Sequence, residues 1–319
     1  MDTGPGRLGT PVNPERRRDR AGTAAPIAAL VVLALVWGYN WVAIKVATEY
    51  VGPIDLSALR NGTAVVALFA ALVVLRKRLR PTPLLPSVVL GLLQTTAFTL
   101  LQMTAVALGG AGRTAVLAYT MPFWVLLFAW PLLGERIRGL QWVAVGLAAI
   151  GLAFVLMPFD VHAGLAAKVL AIAGAVVWAA SAVYLKWLRA RYTVDLLALT
   201  AWQMLWGTIP LVALAALAAE PAPRVTLTFL AALGFIALPG TALAWLLWMF
   251  ALSRLSAGIA GLASLATPVV GVLAAWMQLH EVPSATEWVG IACILGALGA
   301  TGIVSVRAPA PAGGATRVA

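Results

Sequence analysis

The chain has 319 residues, 62% of them hydrophobic and only 10% charged, with a mean hydropathy of +0.96. These values exclude a soluble globular domain and a disordered polar polymer, and place the chain in the integral-membrane class. The net charge of +11 comes from Arg and Lys clustered between apolar stretches, with no soluble basic fold behind them, so it is a topology signal and no nucleic-acid partner is expected.

In chain order, residues 1–25 carry Gly, Pro and Arg without apolar periodicity and are expected to form a disordered cytoplasmic tail. The Arg run resembles a signal-peptide n-region, but the apolar stretch after it is too long for one and reads as a retained anchor. Apolar runs near the ~20 residues that cross a bilayer core follow at 27 to 47, 55 to 75, 86 to 108, 112 to 133 and 139 to 158, and then at 166 to 187, 196 to 218, 226 to 250, 258 to 279 and 285 to 306. They are too long and too continuously apolar for barrel strands, so the expectation is an all-α integral membrane fold of ten transmembrane helices. The chain divides into a first unit at 26–158, a second at 165–306 and a disordered cytoplasmic tail at 307–319. Arg7, Arg16 to Arg18 and Arg20, then Arg76 to Arg80, Arg136 and Arg138, Lys186 to Arg191 and Arg254 fall on one side of this topology. The positive-inside rule then places both termini in the cytoplasm.

The two units repeat each other. Trp37 and Lys45 of WGYNWVAIK recur 141 residues on as Trp178 and Lys186 of WAASAVYLK, and Pro122, Glu135 and Trp142 recur 146 residues on as Pro268, Glu281 and Trp288. A five-span unit copied in tandem must insert upside down the second time. The expectation is therefore two inverted five-helix repeats, the construction of secondary transporters.

Polar residues near mid-depth predict a central cavity walled by the first, third, fourth, sixth, eighth and ninth spans, with the second and seventh contributing, while the Gly- and Ala-rich fifth and tenth spans stand outside it. Trp37, Asn40, Tyr119, Trp178 and Trp245 are the candidate substrate-binding residues; deep Trp side chains suit an aromatic-lined pocket. Arg60, about 7.5 Å of helical rise beyond Asp55, should face a cavity or a carboxylate, and either binds an anionic group or forms a structural ion pair. Asp55 is taken as the N-cap of its helix. Pro122 and Pro268 fall at mid-span, where a missing N–H kinks a helix, and are candidate gating joints. Lys45 and Lys186 are expected to snorkel as interfacial anchors. Glu135 and Glu281 either tie the loops of their repeats or couple protons to gating. Ala292, Gly296 and Ala300 repeat at small-xxx-small spacing and offer a homodimer seam through the fifth and tenth spans. Cys293 is a packing group.

His162 and His280 lack the neighbours of a metal site, and no phosphate-binding loop is present, so no cofactor or metal is expected and no catalytic residue is assigned. WGYNWVAIK, Arg60 in LSALRNG, AYTMPFWVLLFAWPLLGE and its echo SLATPVVGVLAAWMQLHE are similar to EamA-type members of the drug/metabolite transporter superfamily, over about Ala25 to Val306. The resemblance implies a central cavity and export of amino acids or related small metabolites across a bacterial plasma membrane. Drugs, organic cations and sugar phosphates are the alternative cargoes of the same fold, and a membrane enzyme or sensor is the reading from another class. The expected partners are a small-molecule substrate and the lipid bilayer.

Overall fold

The computed structural model describes residues 14–79, 82–109, 118–155, 165–279 and 285–307. Every regular element among them is helical. The first repeat supplies α1 (Pro14–Ala47), α2 (Pro53–Val74), a third span made of α3 (Leu84–Gly91), a π-helical segment (Leu92–Ala97) and α4 (Phe98–Gly109), then α5 (Met121–Leu133) and α6 (Leu140–Val155). The second supplies α7 (Leu165–Arg191), α8 (Leu196–Ala218), a third span made of α9 (Leu227–Ala237), a second π-helical segment (Leu238–Leu243) and α10 (Ala244–Arg254), then α11 (Ala257–Ala263), α12 (Ala266–Leu279) and α13 (Ala285–Arg307). Six of these helical stretches are long and apolar enough to cross a membrane, and four shorter apolar ones accompany them. Helical structure begins at Pro14, inside the stretch that composition assigns to a tail.

The two π-helical segments start 146 residues apart, the interval that separates Pro122 from Pro268, so the same irregularity is built into both copies. Packing follows the same symmetry. α1 packs against α9, α10 and α12, the third and fourth spans of the other repeat; α7 packs against α4 and α5. α2 and α8 pack on each other, as do α6 and α13. The helices of one repeat thus complete the core of the other.

Local chemistry sets the helix ends. α2 opens on Pro53 after an extended Gly52, since a proline in the first turn loses no hydrogen bond. Asp55 is therefore not its cap. Instead Glu220, beyond the end of α8, accepts from the Ile54 and Asp55 amides at 3.4 and 2.9 Å. The reciprocal tie lies at the other end of this helix pair. Asp195 caps α8 through the Ala198 amide at 3.1 Å and accepts from Lys77 Nζ, beyond the end of α2, at 2.8 Å. That hydrogen bond from Lys77 is the largest influence holding the Asp195 carboxyl below the usual range, and the capped amide adds to it. Arg224 also reaches back to the first loop, donating to the Glu49 carbonyl, with its guanidinium 5.5 Å from the Tyr50 ring centroid.

The close crossing of α3 with α8 rests on two glycines. A β-carbon on Gly207 would stand 2.4 Å from the Gly91 carbonyl oxygen, and one on Gly91 2.2 Å from that of Gln203. The backbones approach because neither residue has a side chain. Thr96 seals the crossing by donating to the Gly207 carbonyl at 2.7 Å.

Candidate functional site

Three groups of side chains mark the interior and one end of the bundle. The first is aromatic. Trp37 and Asn40 share a face of α1, Trp245 and Trp248 share a face of α10, and Trp178 comes from α7. Trp248, fully buried, stands among them: its ring centroid is 4.7 Å from that of Trp178 and 6.2 Å from that of Trp37, and Trp37 meets Trp245 edge-on at 5.6 Å. Trp37 Nε1 donates to the Gly240 carbonyl in the second π-helical segment at 3.2 Å. The Asn40 amide oxygen also faces Gly240, where a β-carbon would lie 2.5 Å from it, and it is buried without a hydrogen-bond partner.

Trp37, Asn40, Trp178 and Trp245 are therefore brought together. Trp178 and Trp245 are 3% and 7% exposed and act as packed walls, whereas Trp37 is partly open. Trp248 was missing from the expected set, although its spacing of three from Trp245 was the available signal. Tyr119 is placed elsewhere, against the apolar cluster formed by α6, α11, α12 and α13.

The second group lies where the third span meets α2 and α8. Gln94 is fully buried in the first π-helical segment, and neither its amide oxygen nor its nitrogen has a partner. Its neighbour Thr95 donates to Gln203 Oε1 at 3.3 Å, which leaves Gln203 Nε2 unpaired. Trp202 stacks on Trp206 at 5.6 Å and meets Phe69 of α2 edge-on at 5.1 Å, and both indole nitrogens are buried and unpaired. Arg60 projects from α2 with Nε buried and unpartnered, and no carboxylate pairs with it among the described residues. The structural ion pair weighed from the sequence is absent there.

The third group ties one end of the bundle. Gly134, at φ +69°, ends α5 in a left-handed turn, with its own amide bonded to the Trp130 carbonyl and the Glu135 amide to that of Ala129. This C-terminal motif requires a residue that tolerates positive φ, and it aims Glu135 back across the bundle. Glu135 Oε1 accepts from Lys186 Nζ at 2.6 Å, and Oε2 accepts from the Gly258 amide in the first turn of α11 at 3.3 Å. Lys186 is thus half of a partly buried ion pair, which corrects the snorkelling anchor expected for it. Glu281 and the Lys45 side chain, the equivalent positions of the other repeat, lie outside the described residues.

The prolines differ from expectation in an informative way. Pro122 and Pro268 do not kink continuous helices; each sits in the first turn of a new one, α5 after the Tyr119–Thr120 turn and α12 after the Ser264–Leu265 turn. At such a position the missing N–H costs nothing. Short bonds from Phe123 to the Thr120 carbonyl and from Thr267 to that of Ser264, both 3.0 Å, close the breaks. The helices α5 and α12 are therefore each headed by a turn and a proline at matched places.

Comparison with known proteins agrees with this arrangement. Residues 25–157 and 165–303 each match the EamA-like transporter family. The chain is 27% identical over 276 residues to the uncharacterized transporter YoaV of Bacillus subtilis (strain 168), covering 84% of this chain and 91% of that one. To the uncharacterized transporter YvbV of the same strain it is 26% identical over 272 residues, or 83% and 88% of the two chains. A solved crystal structure superposes with a TM-score of 0.77 over 89% of this chain and 98% of its own; at 22% identity that likeness concerns the fold.

Proposed function

Because this chain belongs to the EamA-like transporter family, it is a multi-pass membrane transporter, and we propose that it exports amino acids or related small metabolites by alternating access. The observation that carries this reading is the pairing of interrupted spans with unpaired buried polar groups. π-helical segments and proline-headed breaks recur at matched positions of the two repeats, and the same spans carry buried amides, indoles and an arginine left without partners. In membrane proteins such groups are satisfied by protein, water or cargo, and broken helices in corresponding positions mark the binding region.

In this reading ten helices span the bilayer as two inverted five-helix repeats. Trp37, Asn40, Arg60, Trp178 and Trp245 contact the substrate, Arg60 meeting its anionic group. The breaks before Pro122 and Pro268 are the joints about which the fourth spans rock. Glu135 and Glu281 hold the ends of the repeats. Both termini face the cytoplasm across a bacterial plasma membrane, and the chain carries no catalytic site. The contacts at the span ends support this parity: Lys77–Asp195 and Lys186–Glu135 join segments assigned to the cytoplasmic side, and Arg224–Glu49 and Glu220–Asp55 join segments assigned to the opposite side.

The test is efflux of preloaded labelled amino acids, amines and sugar phosphates from cells with and without the protein. Selective efflux of amino acids that falls at least about tenfold in Arg60→Ala, the loss of a charge-assisted contact, is the expected result. Normal efflux by a correctly inserted Arg60→Ala protein removes Arg60 from the site, and no efflux from the wild type removes the exporter.

A further inference from the structure

The partners missing from the interior have a chemical sign. Among the described residues, the buried unpaired atoms inside the spans are mostly donors: Arg60 Nε, the amide nitrogens of Gln94, Gln102 and Gln203, and the indole nitrogens of Trp202, Trp206 and Trp248. Against them stand only the amide oxygens of Asn40 and Gln94 and the Thr267 hydroxyl. The charges point the same way. Among the described residues each Asp and Glu lies in a loop or within the first six residues of a helix, whereas Arg60 is the eighth residue of α2, well inside its span. Among the described residues, a cation entering this interior would find the positive charge of Arg60, no counter-charge beside it and few acceptors. An anion would find the reverse.

From this we infer that the transported substrate carries an acceptor-rich anionic group, a carboxylate or a phosphate, and that Gln94 is a specificity-determining residue that helps to bind it. The inference rests on the transport reading and narrows it by removing organic cations. Gln94 is singled out by the symmetry of the fold. Its counterpart 146 residues on is Gly240, whose carbonyl is taken by Trp37 Nε1 and whose missing side chain makes room for Asn40. One π-helical segment is thus closed by α1, and the other presents a carboxamide with both ends free. An amide serving only to join helices would be bonded to one of them. Left unbonded, it is an unsatisfied group that weakens the fold unless a ligand or water engages it. π-helical turns are frequent at functional sites for the same reason, since they release backbone and side-chain groups from the regular ladder.

The test uses the purified full-length protein in detergent micelles and three probes with one aromatic ring: benzoate, benzamide and benzylammonium. Binding is followed by calorimetry up to about 10 mM, the range in which fragments of this size are detectable. Benzoate should bind at least about tenfold more tightly than benzylammonium, the ratio given by one or two charge-assisted hydrogen bonds. Gln94→Leu should lower benzoate affinity about tenfold and at the same time raise Tm, because it deletes an unsatisfied buried amide. Gln94→Glu should abolish benzoate binding. Benzylammonium binding as tightly as benzoate, or no binding of any probe, overturns the inference. A Gln94→Leu protein with lower Tm and unchanged affinity shows a structural glutamine and overturns its assigned role. Flux of labelled probe into proteoliposomes separates the two readings. Benzoate binding without flux refutes transport and leaves the anion site standing, whereas benzylammonium flux without benzoate binding does the opposite.

Discussion

Replacing Glu135 with Gln removes one charge and little volume, and its effect can be worked from two contacts. The Lys186 ion pair is 2.6 Å long, with the two side chains 22% and 23% exposed. At an effective dielectric of about 20, two unit charges at that separation attract by roughly 6 kcal/mol. Desolvation of both groups cancels most of this, and a partly buried pair should retain about 1 to 3 kcal/mol, between the exposed and fully buried limits. The carboxylate also faces the Gly258 amide at the start of α11, and a charge near a helix N-terminus adds about 0.3 to 1 kcal/mol. Glu135→Gln should therefore cost about 1.5 to 4 kcal/mol. Pairwise coupling with Lys186→Met in a double-mutant cycle should be at least about 1 kcal/mol. Equilibrium unfolding of the four proteins in mixed detergent–SDS micelles reads both quantities. Coupling below about 0.5 kcal/mol would mean that the Gly134 turn places Glu135 without help from Lys186, and the account of a three-helix tie would be wrong.

Gly207→Ala places a β-carbon 2.4 Å from the Gly91 carbonyl oxygen and 2.5 Å from Thr95 Cβ, where backbone rather than a movable side chain must give way. The same assay should show a loss of about 2 to 3 kcal/mol or more. The Asp195 carboxyl is held below its ordinary range in the folded protein, so its contribution is present above the unfolded value near 4 and is lost as pH falls through the lower folded value. Stability measured from pH 7 to pH 3 should decline less steeply at the acid end in Asp195→Asn than in the wild type. Because both partners are well exposed, with side chains 49% and 39% accessible, the difference should be small and should shrink further in high salt.

Much of this architecture could be read before any coordinates, because lipid imposes long apolar helices and tandem duplication leaves matched residues. The helices fall close to the expected apolar runs, and the Trp37 and Trp178 echoes mark the two helices that cross into the opposite repeat. Other features depend on three-dimensional partners that no local pattern contains. Asp55 has the composition of a cap, yet its amide is satisfied by Glu220 from 165 residues away. Lys186 looks like an anchor until the Gly134 turn brings Glu135 to it. The π-helical segments have no propensity signature. Arg60 and Gln94 could be recognised as costly residues in a span, but only the folded bundle shows that none of the described residues compensates them.

The crossed packing of the repeats also bears on how the protein is made. α1 rests on α9, α10 and α12, all of which are synthesised after the whole first repeat has left the ribosome. Until then Trp37 has no Gly240 carbonyl to bond, and Gly91 has no Gly207 to approach. The first half therefore cannot mature as a finished domain while the second is being translated, unlike the N-terminal domain of an ordinary two-domain chain. It must wait in the bilayer as inserted but loosely associated helices, so assembly is a late, concerted event triggered by the last spans to emerge.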